Sequence, residues 1–297
     1  MPAPLLIADV PWLLYRAFFS LPKSIVGVDG QPVNALLGTV NALLAVLEAR
    51  PARAVAACMG AEEAVYRVKL YPGYHAQRDP MPPELARQWK KAPALLESFG
   101  WTVTTDAELE ADDVMFSFAL AETAGDGDRN GHALLLTGDR DLFQAVNDRV
   151  AVVTPGKGRG DPTEIGPEQV RERYGIDPAL VTDFIALRGD PSDGLPGAPG
   201  IGAKTAAELL NRYGSLEDML KIARADDSDM RLRTALALSE NEELLLNFKR
   251  IATLVPIDDI ARHPDRSTNF AAGARAAEKL GMKQLATRLE KLASVTG

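Results

Sequence analysis

At 297 residues, with 33 Lys and Arg against 41 Asp and Glu (net charge −8) and one cysteine, the chain has length for a large core and cannot form an internal disulfide. The lone Cys58 fits a reducing cytoplasm, and no uncharged run is long enough to cross a bilayer. The acidity opposes a nucleic-acid partner at long range, unless acids gather where divalent cations reverse the local sign.

The apolar start lacks the basic flank and cleavage site of a secretory signal, and Asp9 and Arg16 interrupt it. It reads as a buried strand, 4–9, running into a helix. Residues 33–49 carry apolar positions at helical spacing, and RAVAACM (53–59) is the next strand. A polar, aromatic, Pro-containing stretch follows (61–83), then a helix ending near Phe99. WTVTT (101–105) precedes a helix from about Glu110 to Thr123. The loop AGDGDRNG leads into HALLLT (132–137), and AVVT (151–154) is the last strand expected. Alternating strands and helices predict a mainly parallel sheet covered on both faces. Beyond Gly156 the pattern changes: GKGRGDP reads as a linker, and from about Pro167 nearly everything reads helical, broken at the Gly/Pro-rich 189–202. The chain therefore divides into an α/β half, 1–165, and a helical half, 166–297.

Acids recur where parallel sheets place their ligands, beyond the carboxyl ends of strands. Asp9 follows LLIA, Asp139 and Asp141 follow HALLLTG, and Glu110, Asp112 and Asp113 open a helix after WTVTT. Asp190 and Asp193 lie in RGDPSDGLPG of the helical half. Singly, each group is an ordinary turn or an acidic helix start. Together they repel one another unless cations neutralise them, and hard oxygen donors select Mg²⁺ or Mn²⁺ over zinc. Two such ions about 3.5–4 Å apart are the usual apparatus for cutting a phosphodiester.

Two further segments point to a phosphate-bearing partner. In GLPGAPGIGAKTAAELL, Gly200 and Gly202 allow close backbone approach, the following helix start favours anions, and Lys204 and Thr205 add donors. The alternative is a tight turn between helices. In 61–95, Arg67, Lys69, Arg78, Arg87, Lys90 and Lys91 interleave with Tyr66, Tyr71, Tyr74 and Trp89, a pattern able to track a phosphate chain and stack bases, or merely a solvated helix with core aromatics. Arg16 offers a planar fork for a scissile phosphate.

Taken in order, LLIADVPWLLYRAFFSLP, YRVKLYPGYHAQR, ELEADDV, LLLTGDRDLFQ and RGDPSDGLPGAPGIGAKTAAELLNRYGSLE resemble the flap endonuclease and 5′-3′ exonuclease family, in particular the N-terminal exonuclease domain of bacterial DNA polymerase I. The resemblance covers residues 5–220. It implies a Rossmann-like (PIN-like) parallel-sheet nuclease core topped by a helical arch (about 61–95), plus a helical domain with a helix-three-turn-helix module at about 180–215. By it, Asp9, Glu110, Asp112, Asp113, Asp139, Asp141, Asp190 and Asp193 are metal ligands. Arg16, His75 and Arg78 act at the scissile phosphate. Arg67, Tyr71, Tyr74, Gly200, Gly202, Lys204 and Thr205 contact DNA, with a monovalent cation such as K⁺ at the Gly200–Gly202 loop. Three positions depart from the family pattern: Met59 stands for a carboxylate, His75 for a lysine, and Gly194 for an asparagine.

The expectation is a monomeric, bacterial, cytoplasmic nuclease using two or more Mg²⁺ or Mn²⁺ ions on DNA bearing a 5′ flap, nick or 5′ end. The alternatives are a branched-DNA binding protein with weakened catalysis and an RNA-directed nuclease. Cys58 reads as a buried hydrophobe, and His132 and His263 carry no functional expectation.

Overall fold

Alternation in the first strand divides the molecule. In β1 (Leu5–Asp9), Leu5 and Ile7 enter one hydrophobic core and Leu6 and Ala8 the other, as the period of two requires when both faces are covered. The computed structural model describes residues 3–124, 131–156, 160–225 and 229–296. Most of the AGDGDRNG loop and the centre of GKGRGDP lie outside them.

β1 pairs in parallel with β2 (Ala54–Met59) on one side and β4 (Ala133–Leu136) on the other. β3 (Thr102–Thr105) extends the sheet beyond β2, and β5 (Val150–Thr154) beyond β4. A short β6 (Thr163–Ile165), which its three residues kept below the reach of any periodicity argument, closes the edge antiparallel to β5. The order β3-β2-β1-β4-β5-β6 reverses direction between β1 and β4, the place where such sheets open a ligand crevice.

Over one face lie α1 (Val10–Ser20), α2 (Asn34–Ala49) and α4 (Pro83–Ser98). The other face receives α5 (Ala111–Thr123) and the helices after the sheet: α6 (Pro167–Tyr174), α7 (Val181–Arg188), α8 (Ala203–Tyr213), α9 (Leu216–Ala223), α10 (Leu232–Ser239) and α11 (Glu242–Ala252). The short α3 (Val65–Leu70) sits against α11.

The last two helices lie on the α/β side of the molecule. α12 (Phe270–Lys279) and α13 (Lys283–Thr296) pack against the α/β half rather than with the helical one, because Ala274, Ala277, Leu285 and Leu289 are needed to cover α2 and α4. Arg288 fixes them there through Asn41 and Glu48, at 2.8 and 2.7 Å.

Candidate active site

A cleft of about 560 Å³ opens at the reversal point, over the carboxyl ends of β1 and β4. Asp9 ends β1 and caps α1: one carboxylate oxygen accepts from the Trp12 amide at 2.9 Å and the other from the Thr137 hydroxyl at 2.7 Å. Thr137 Oγ1 also accepts from the Asp139 amide at 3.0 Å, and Asp139 Oδ1 from the Asp141 amide at 2.9 Å. The turn after β4 thereby fixes both acids beside Asp9. Asp112 enters from the first turn of α5, Glu110 from its cap, and Asp193 from the loop after α7.

Burial, reinforced by mutual repulsion, keeps Asp9, Asp112, Asp139 and Asp141 reluctant to ionise. Burial first and then the charge of Asp139 raise Asp9 to about 7, against the lowering hydrogen bonds of Thr137 and Trp12. Burial, then Asp139, Asp9, Glu110 and Asp141 push Asp112 well up; burial, then Asp139, Asp193 and Asp190 do the same to Asp141. Asp139 is also raised, chiefly by burial. Oxygen donors crowded against their own charge suit a hard divalent cation. Among the described residues no three His, Cys, Asp or Glu side chains close on one point as a finished cage.

A stability consequence follows. A carboxyl whose folded pKa is raised stabilises the fold when protonated, and that contribution disappears as pH rises through the folded value. Cation-free protein is therefore expected to melt lower at pH 8 than at pH 5.5, by a few kcal/mol in stability, with added Mg²⁺ restoring the loss at pH 8. Scanning calorimetry on wild type and Asp9→Asn checks this; an unchanged pH slope in Asp9→Asn refutes the assignment.

Several residues expected at the metal or on DNA have other employment. Asp113 is fully buried and bound in a two-pronged ion pair by Arg67, at 2.8 and 2.9 Å, while also accepting from the Val255 amide at 2.8 Å. Its oxygens are engaged in these bonds, and it lies outside the cleft lining. Arg67 also donates to the Ile251 carbonyl at 3.0 Å and is 3% exposed, so it lines the cleft with its guanidinium already committed to protein partners. Tyr71 packs edge-on against Phe248, with ring centres 5.1 Å apart. Tyr74 is buried, its hydroxyl on Glu110 and its ring face covered by His75 at 3.8 Å, so it is not an open base platform. Arg16 lies outside the cleft lining, held by the Gly156 carbonyl at 3.0 Å and stacked on Trp12. Asp190 also lies outside that lining. It is bonded to Arg188 and Ser192, near enough to Asp139 and Asp141 to repel them but not beside them.

His75 and Arg78 do line the cleft, and both reach Asp193 Oδ1 at 3.2 Å. Half of the Arg78 side chain remains open to solvent, whereas His75 is buried with Nδ1 unpartnered. The turn carrying them is clamped to the helical half: the His75 amide donates to the Asp193 carbonyl at 3.1 Å. Gly194 has φ +75°, and a Cβ there would lie 2.5 Å from the Gly73 carbonyl, so this close approach excludes asparagine. Met59 is in the apolar core under α1 and α2, not in the cleft. Cys58 is buried in the opposite core, where burial raises its thiol far above the ordinary value.

Between α7 and α8, Gly200 takes φ +77° and Gly202 is the uncapped start of α8, with open space where a Cβ would stand. Lys204 is 91% exposed beside it, and Thr205 is half-buried. Gly202 is thus not demanded by local packing, which leaves room for an approaching ligand.

The sequence reading overlooked one wall of the cleft. Trp12, Tyr15 and Phe19 line it together with Trp89. Their spacing of three and four along one helix was visible but had been absorbed into the apolar character of the first helix.

Two family models match the chain: 5′-3′ exonuclease, N-terminal resolvase-like domain, over residues 4–175, and 5′-3′ exonuclease, C-terminal SAM fold, over 176–268. A 5′-3′ exonuclease of Mycobacterium tuberculosis is 35% identical over 320 residues, covering 98% of each chain. The thermostable DNA polymerase I of Thermus thermophilus is 39% identical over 266 residues, spanning 88% of this chain and 30% of that longer protein. Among solved structures, the T5 D15 protein co-crystallized with metal ions superposes with a TM-score of 0.67 at 18% identity, covering 97% of this chain and 99% of that one, a likeness of fold.

Proposed function

The chain belongs to the 5′-3′ exonuclease family, and from that premise we propose that its cleft hydrolyses DNA phosphodiesters near a free 5′ end or at a 5′ flap. One observation carries the reading: Asp9, Glu110, Asp112, Asp139 and Asp141, distant in sequence, meet with Asp193 in one cleft at the sheet's reversal point. Those first five acids are the set to hold two or more Mg²⁺ or Mn²⁺ ions. When bound, such ions supply hydroxide at neutral pH and neutralise charge on the phosphate. Water attacks phosphorus, the bond to the 3′ oxygen breaks, and a 5′-phosphate and a 3′-hydroxyl result. Arg78, half open at the wall, adds positive charge to the phosphate as negative charge gathers there. His75 stands beside it as a hydrogen-bonding group rather than a fixed cation.

Duplex DNA beyond the cut rests on the Gly200–Gly202 loop and the start of α8, a loop that would also hold a monovalent cation such as K⁺ to offset backbone charge. Lys204→Ala is expected to weaken duplex binding irrespective of sequence and to lower the slope of log affinity against log salt by about 1. Fluorescence anisotropy across a salt series measures it, and an unchanged slope removes Lys204 from the contact. The protein works as a monomer in the bacterial cytoplasm; none of its described helices is long and apolar enough to cross a membrane.

The direct test is a labelled 5′-flap duplex incubated with Mg²⁺ or Mn²⁺, beside the same flap in RNA. Cleavage at the flap base, faster on DNA, is expected. Binding without cutting in either metal would instead favour the weakened relative, a reading motivated by Met59 and His75, of which only His75 lines the cleft.

A further inference from the structure

Helix α1 places Trp12, Tyr15 and Phe19 on one face, and that face is a wall of the cleft. Asp9 caps the same helix, so the wall begins one turn from the acids and climbs roughly 10 Å from Trp12 to Phe19 at ~1.5 Å per residue. Tyr15 links the rings, 6.3 Å from Phe19 with planes 27° apart and 6.4 Å from Trp89 edge-on. Trp12, Tyr15 and Trp89 are half-buried against the core beneath, which fixes their orientation. Phe19 differs, being 70% exposed at the mouth with Tyr15 and Phe18 as its ring neighbours among the described residues.

The floor of this cleft is acidic and its α1 wall is flat, aromatic and uncharged. A nucleotide strand fits such a cleft with its phosphates toward cations on the floor and its bases toward the wall. Roughly 10 Å accommodates about three stacked nucleotides at ~3.4 Å each. An unpaired base has a free π face to lay on a ring, which bases inside a duplex have already used.

We propose that Phe19 is the outermost stacking platform of the site, receiving an unpaired nucleobase of the cleaved strand a few nucleotides from the phosphate over the acids. The proposal rests on the nuclease reading and adds to it a residue that sets how unpaired DNA is held.

Duplexes with a single-stranded 5′ arm, carrying either normal bases or abasic sites along the arm, test this with Ca²⁺ in place of Mg²⁺. Phe19→Ala is expected to raise the Kd of the base-bearing arm about tenfold and to leave the abasic arm within about twofold, since a stacked base contributes roughly 5- to 150-fold in affinity. 2-Aminopurine placed along the arm should report stacking at one or two positions in wild type and in Phe19→Trp, and lose the signal in Phe19→Ala. Equal effects of Phe19→Ala on both arms, or no effect on either, overturn the assignment of Phe19 alone. Failure of wild-type protein to bind either arm overturns the nuclease reading beneath it. Phe19 is exposed, so an unchanged melting temperature of the variant is the expected control.

Discussion

Asp112→Asn and Asp141→Asn are each expected to lose at least about a thousandfold in flap cleavage while melting higher than wild type in the absence of cations. The first effect follows from removing a donor for ions that neutralise the phosphate; a thousandfold loss corresponds to ~4 kcal/mol of transition-state stabilisation. The second follows from electrostatics. Both carboxyls are pushed well above the ordinary range by burial and by the neighbouring acids, so replacing either with an amide relieves repulsion. Activity down with stability up separates loss of a functional group from loss of fold. Single-turnover cleavage and thermal melts in EDTA measure the pair, and a variant that cuts at the wild-type rate removes its residue from the site.

Arg67→Ala should do the reverse, costing about 3–5 kcal/mol of stability and lowering the melting temperature by roughly 10 °C. The guanidinium holds Asp113 with two bonds, reaches Glu110 at 3.2 Å and donates to the Ile251 carbonyl, tying α3, α5 and the end of α11 together. Its removal leaves the fully buried Asp113 charge uncompensated. Arg67→Lys should recover only part of the loss, because an ammonium cannot span both carboxylate oxygens. A DNA-contacting arginine would show the opposite pattern: weakened binding at an unchanged melting temperature.

The difference between these two residue groups explains what the sequence could convey. Asp9, Asp139 and Asp141 follow apolar runs whose period and length mark them as strands, so their position at the strand ends was legible. Asp113 was not separable from Asp112 in the same way. Adjacent residues on α5 point about 100° apart, and only the partner's location, 46 residues earlier at Arg67, shows which of them faces the cleft. Basic and aromatic residues in 61–95 likewise read as a DNA-tracking pattern because burial is a property of the fold. Arg67, Tyr71 and Tyr74 went inward while Arg78 stayed out. The packing of α12 and α13 was not legible for a related reason: helical periodicity identifies an apolar stripe but not which core it covers.

Crystals soaked in Mn²⁺ and measured for anomalous scattering offer the most direct examination of the acidic cleft. At least two strong peaks are expected among the carboxylates of residues 9, 110, 112, 139 and 141, with none beside Asp113. Peaks confined to other surfaces of the protein, or a cleft without any at millimolar Mn²⁺, would contradict a cation-dependent nuclease.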